Sequence, residues 1–107
     1  MLTPPPVFRS PAPGEKLRVL DLVSLRGPVA GRAERFVADK CRYFETASGV
    51  EHRVVVPAAE AGEDRWSESR VHAVASPRLP GAAGARVLID RARVWEIATE
   101  FRPHVIE

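Results

Sequence analysis

Apolar and polar positions alternate along most of this chain, and where the alternation fails the residues are those of turns. From Lys16, the residues Leu17, Val19, Val23 and Leu25 fall on one phase of a period-two pattern, with Asp21 the exception, while Leu20 and Leu22 take the other phase. This predicts a strand over 17–26 that ends at Gly27-Pro28. Gly31 adds a second flexible point, so 27–32 reads as a loop or bulge. Residues 34–45 mix Phe36, Val37, Tyr43 and Phe44 with charges, which predicts a second strand. Thr46-Ala47-Ser48-Gly49 is a turn, and Val50, His52, Val54 and Val56 alternate after it as a third strand that Pro57 stops.

Residues 58–69 carry Ala58, Ala59 and Ala61 among four acids, with little β-branching, and read as a short helix or acidic loop. Val71, Ala73 and Ala75 mark a fourth strand over 70–75. A Pro/Gly-rich loop follows over 76–84, and a fifth strand restarts at Arg86. The stretch 90–101 supports two readings. Val94, Ile97, Ala98 and Phe101 have helical spacing with Asp90 as a cap, whereas Val87, Val94, Trp95 and Ile97 favour a strand continued through a bulge. The strand reading is preferred.

The length of 107 residues suits one domain. Five of the ten prolines lie in the first sixteen residues, which sets off 1–15 as a flexible proline-rich arm. The barrel domain is assigned to 16–98 and a tail to 99–107. No apolar run approaches the roughly 20 residues that span a bilayer, so no membrane association is expected. The start Met-Leu-Thr-Pro-Pro-Pro has neither the basic leader nor the apolar core of a signal peptide. A single cysteine, Cys41, forbids an internal disulfide and fits a reducing, cytoplasmic setting.

The order β-β-β-(helix or loop)-β-β resembles the OB-fold, a five-stranded Greek-key barrel. Val71 to Gly81, followed by Gly84 to Ile97, is similar to the last hairpin of nucleic-acid-binding OB domains, such as the anticodon-binding barrels of aminoacyl-tRNA synthetases and single-stranded-DNA-binding proteins. His52-Arg53-Val54-Val55-Val56 resembles the third strand of the single-strand binders. The resemblance implies a mainly β domain whose nucleic-acid surface lies across strands two and three. The glycine common in the fourth strand of that family is replaced here by the Ala73–Ala75 region.

Charge gives the functional expectation. The net charge is +2, but fourteen of the sixteen basic residues are arginine, and the charges are segregated. The connector 58–69 sums to −3, whereas 70–93 holds Arg70, Arg78, Arg86, Arg91 and Arg93 against Asp90 alone. Guanidinium groups track phosphates and aromatic faces stack on bases, which suits single-stranded DNA or RNA. The expected nucleic-acid-binding residues are Arg26, Arg32, Lys40, Arg42, Phe44, Arg53 and Arg78. The function read from them is non-catalytic nucleic-acid binding, alone or as a small subunit of a nucleoprotein complex. The alternative is a protein-interaction subunit that uses the same barrel, with termini that order on a partner.

Phe36, Tyr43 and Phe44 are expected to fill the core rather than to stack on bases, and Trp66 and Trp95 to cap the barrel ends. His52, His72 and His104 are scattered, with no metal-ligand spacing, so no metal or other cofactor is expected. No nucleophile elbow, Walker loop or dinucleotide fingerprint is present, and no enzyme activity is expected.

Overall fold

The computed structural model describes residues 10–27, 31–81 and 84–107, apart from the side chains of residues 31–34. The elements run β1 (Leu17–Leu22), β2 (Leu25–Arg26), α1 (Gly31–Thr46), β3 (Val50–Ala58), β4 (Gly62–Trp66), β5 (Ser69–Ala75), β6 (Arg86–Val87), α2 (Arg91–Phe101) and β7 (Val105–Ile106). Five strands form one sheet in the order β4-β5-β3-β1-β7, and β2 pairs with β6 in a separate ribbon. Within the large sheet β1, β3, β5 and β7 are parallel, and only β4 is antiparallel to its neighbour.

The central strand explains the layering. Val54, Val55 and Val56 are consecutive and each is at most 1% exposed, so both faces of β3 are covered. Val54 and Val56 pack with Val23 and Val71 under Val37 and Cys41 of α1. Val55 packs with Leu20 and Val74 under Ile97, Ala98 and Phe101 of α2. The two helices therefore lie on opposite faces of the sheet.

β3 runs on through Pro57 to Ala58. The Val55 carbonyl accepts from the Val23 amide, and Pro57, two residues on, turns its imide nitrogen to the same side. There β1 has already ended, since its last partner is Val55. The missing N–H costs no ladder bond, which is why proline is tolerated in a central strand.

The domain is β-rich with a five-stranded sheet, as expected, but the described strands form an open sheet with edges at β4 and β7 and do not close into a barrel. Three local differences account for this. The expected second strand over 34–45 is helix α1, anchored by Val37 and Cys41 one turn apart, with half-buried Phe44 continuing the stripe. Phe36 and Tyr43, expected in the core, are 63% and 70% exposed. The expected helix or acidic loop at 58–69 contains strand β4. Its hairpin with β5 turns at Ser67, whose φ is 56°, and its exposed charges suit a sheet edge. Finally, 91–101 is helical. The Asp90 carboxylate caps α2 by accepting from the Arg93 amide at 3.0 Å, and Arg102 ends it in the left-handed region.

The last residues carry β7, which extends the sheet beside β1. Of the expected proline-rich arm, residues 1–9 lie outside the described residues, as do 28–30 of the expected loop.

Candidate anion-binding site

An open cleft of about 290 Å³ lies beyond the carboxyl ends of β1 and β3, lined by Arg26, Gly27, Pro57, Ala58, Ala59, Gly84 and Arg86. Its position follows from the strand lengths. β1 ends opposite Val55 while β3 continues for three more residues, leaving the Pro57–Ala58 edge uncovered. The β2–β6 ribbon closes the other side. In open sheets with helices on both faces, this edge is where ligands collect.

The ribbon holds its cations in an unusual way. Arg26 and Arg86 are directly opposite on β2 and β6, and Arg78 bridges to Arg86 from the other side. The register thus gathers three arginines on one short ribbon. Arg86 donates from Nη1 to the Ser76 carbonyl at 2.8 Å, which fixes one edge of its guanidinium, and the Arg26 guanidinium lies 5.5 Å from the centre of the Trp66 ring.

The rim is stitched by backbone bonds from Leu88 to Ser24, Val87 to Pro77 and Leu79 to Ala85. Gly27 has φ of 143°, and a Cβ there would meet the Ala85 Cα at 2.8 Å. Only glycine lets the chain leaving β2 approach the β5–β6 loop this closely.

The sequence-predicted residues do not share one surface. Arg26 lines the cleft, and Arg78 stands exposed beside it on the bridge to Arg86. Arg32 is in the first turn of α1, and its side chain lies outside the described ones. Lys40 is committed to Asp21, at 2.9 Å, and to Glu107. Arg42 is exposed and paired with Asp39. Phe44 packs on His52, with ring centres 4.7 Å apart. Arg53 is on the opposite face of the sheet, 4.4 Å above the Phe101 ring.

Sequence reasoning missed Arg86 in the cleft and a buried polar chain beneath α1. The His52 ring reaches the Asp21 carboxylate through Nε2 at 2.5 Å and the Ser69 hydroxyl through Nδ1 at 2.7 Å. Burial opposes charge on His52, but the hydrogen bond and field of Asp21 outweigh it and raise its pKa; Cys41 adds to the rise. Burial likewise opposes ionisation of Asp21, and the bonds from His52 and Lys40 outweigh it and hold that carboxyl below its usual range.

The order Ser–His–Asp is that of a nucleophilic relay, and Ser69 and His52 border a cavity of about 130 Å³. A nucleophile must present its oxygen to a substrate, however, and Ser69 is 1% exposed. The chain is a lock that ties β1, β3, β5 and α1 together. Its signal in the sequence was Asp21 breaking an apolar phase.

Among the described residues no group of three or more His, Cys, Asp or Glu side chains could hold a metal ion. No helix among them is long and apolar enough to cross a membrane. No protein-family profile matches the chain, and no curated protein or solved structure is significantly similar to it.

Proposed function

We propose that the protein binds a phosphate-bearing small ligand of nucleotide class in the cleft at the carboxyl edge of its sheet. The observation that carries this reading is the directly opposed pair Arg26 and Arg86 flanking a cleft of about 290 Å³. A phosphate between two guanidinium groups gains charge-assisted, bidentate hydrogen bonds. Gly27 and Gly84 line the cleft beside them, and Pro57, Ala58 and Ala59 give a small apolar wall for the rest of the ligand.

The phosphate chemistry expected from the arginine content is kept in this reading, but the track for a single strand is not. Lys40, Arg42 and Phe44 are engaged on α1, and Arg53 is on the other face. The cleft fits one ligand better than a run of nucleotides.

Calorimetric titration with a nucleoside diphosphate and, separately, with a single-stranded oligonucleotide tests this. The nucleotide is expected to bind with Kd of about 10–100 μM, and the Arg26→Ala/Arg86→Ala double variant at least about tenfold more weakly. Oligonucleotide binding with a log–log salt slope near −3, about four phosphates at roughly −0.7 each, would favour the strand reading instead. No heat with either ligand at about millimolar concentration overturns the proposal.

A further inference from the structure

A second cationic arrangement sits on the α2 face of the sheet, and it arises from strand register. Arg65 of β4 is paired with Arg70 of β5, and Arg70 with Arg53 of β3, so three arginines share one row across three adjacent strands. Residues opposite one another in a sheet point to the same side, with strands about 4.8 Å apart. The next row holds Glu63, His72 and Val55. Val55, and Val74 two residues beyond His72, belong to the core under α2, which sets the face.

His72 is 5% exposed, and among the described residues neither of its ring nitrogens has a hydrogen-bond partner. A buried imidazole left unpaired is costly, and its ring nitrogens favour any group that can hydrogen-bond to them. Glu63 Oε1 is the nearest carboxylate, 3.7 Å from His72 Nδ1 and also 3.7 Å from Arg70 Nε, too far to hydrogen-bond either. Its side chain is 57% exposed and free to swing out. Arg53, one register row away, leans on Phe101 with Glu51 3.7 Å away, and Arg93 of α2, which pairs with Glu96, adds its positive field from farther off.

We propose that Arg53, Arg70 and His72 form a seat for a phosphate-type oxyanion, separate from the carboxyl-edge cleft, with the Glu63 carboxylate as its loosely held internal occupant. The bound oxyanion accepts from the His72 ring N–H and from Arg70, and Glu63 turns out to solvent. The seat takes one tetrahedral anion. Glu51 and Glu96 on its margins disfavour a continuous polyanion, and the exposed aromatics Phe36 and Tyr43 lie on α1, on the opposite face.

The test is the His72 ring resonance in a proton–carbon correlation spectrum, followed as inorganic phosphate is added to the full chain, with sodium chloride at matched ionic strength as control. A saturable shift with Kd of about millimolar order is expected. Arg70→Ala, a change at a half-exposed side chain, weakens it at least about tenfold, and Glu63→Gln, which removes the internal competitor, tightens it about threefold. The Arg26→Ala/Arg86→Ala variant leaves the shift intact, so failure of one site is distinguishable from failure of the other. A His72 shift reproduced by chloride, one unchanged in Arg70→Ala, or no shift up to about 50 mM phosphate overturns the proposal.

Discussion

His52 and His72 lie on the two faces of one sheet and are nearly equally buried, at 4% and 5% exposed. His52, under α1, has an acid on one ring nitrogen and a hydroxyl on the other. His72, beside α2, has no hydrogen-bond partner among the described residues and stands in the field of three arginines. Burial disfavours the charged form of both. Asp21 reverses that for His52 and raises its pKa, whereas Arg53, Arg70 and Arg93 add to it for His72, against the opposing pull of Glu63, and its pKa is lowered. Equal burial therefore leads to opposite chemistry. One face is a completed lock, and on the other a buried ring stands without a hydrogen-bond partner among the described residues.

The largest effect should come from breaking the lock. Asp21 is 5% exposed and is the anion shared by His52 and Lys40. Asp21→Ala leaves a buried histidine without its acceptor and Lys40 with Glu107 alone. A loss of about 3–5 kcal/mol is expected, since removing one partner of a buried ion pair strands the other. Thermal denaturation should show a fall of more than about 10 °C. A fall of only a degree or two would mean that the network is not what holds α1 to the sheet.

The same operation on the other face should have the opposite sign. His72→Leu removes two unpaired nitrogens and keeps a side chain of similar volume between Val55 and Val74. A gain of about 1 kcal/mol is expected, because an orphaned polar group is replaced by an apolar one. Chemical denaturation would read it as a higher midpoint at unchanged slope. A destabilised His72→Leu protein would show that the ring has a partner in solution and that the seat is already filled.

The sequence carried the sheet better than the helices, for identifiable reasons. β3 was legible in the alternation of Val50, His52, Val54 and Val56 and β5 in that of Val71, Ala73 and Ala75, and the cap at Asp90 with Val94, Ile97, Ala98 and Phe101 did mark α2. The strand preference there came from β-branched and aromatic types whose place is decided by packing on Leu20 and Val55. α1 was hidden because exposed Phe36 and Tyr43 blur the stripe formed by Val37, Cys41 and Phe44. β4 was hidden because an edge strand is charged on both faces, and Gly62-Glu63-Asp64-Arg65 reads as a loop. Of the anion cleft, Arg26 and Arg78 were legible as loop arginines. Their meeting with Arg86 was not, because it depends on a two-residue ribbon between segments sixty residues apart. The row Arg65–Arg70–Arg53 is likewise a product of register, and a one-residue slip of β5 would dissolve it. Asp21 and His52 were each visible as polar residues on an apolar phase. Read together, two such misfits on neighbouring strands are the signature of a buried pair.

The smallest and most discriminating effect is on the pH dependence of stability, where the two histidines act in different windows. His52 has a raised pKa in the folded protein, so its contribution is fully present below the unfolded value near 6.5 and is lost as pH rises through the folded value. His72 has a lowered pKa, so the unfolded chain takes up its proton first, and folding stability falls as pH drops below about 6.5. Asp21 acts lower still, since its depressed carboxyl sustains stability until the pH falls through its folded pKa, below 3.8. Denaturation midpoints between about pH 5 and pH 9 should therefore decline on both sides of 6.5. In His72→Leu the acid-side decline becomes shallower while the alkaline-side decline persists. Saturating phosphate should act as the mutation does on the acid side, because an oxyanion bound at His72 favours the protonated ring. If phosphate leaves the acid-side slope as it was, the surroundings of His72 are not an anion site, and the contrast between the two faces reduces to a lock on one and an unpaired buried ring on the other.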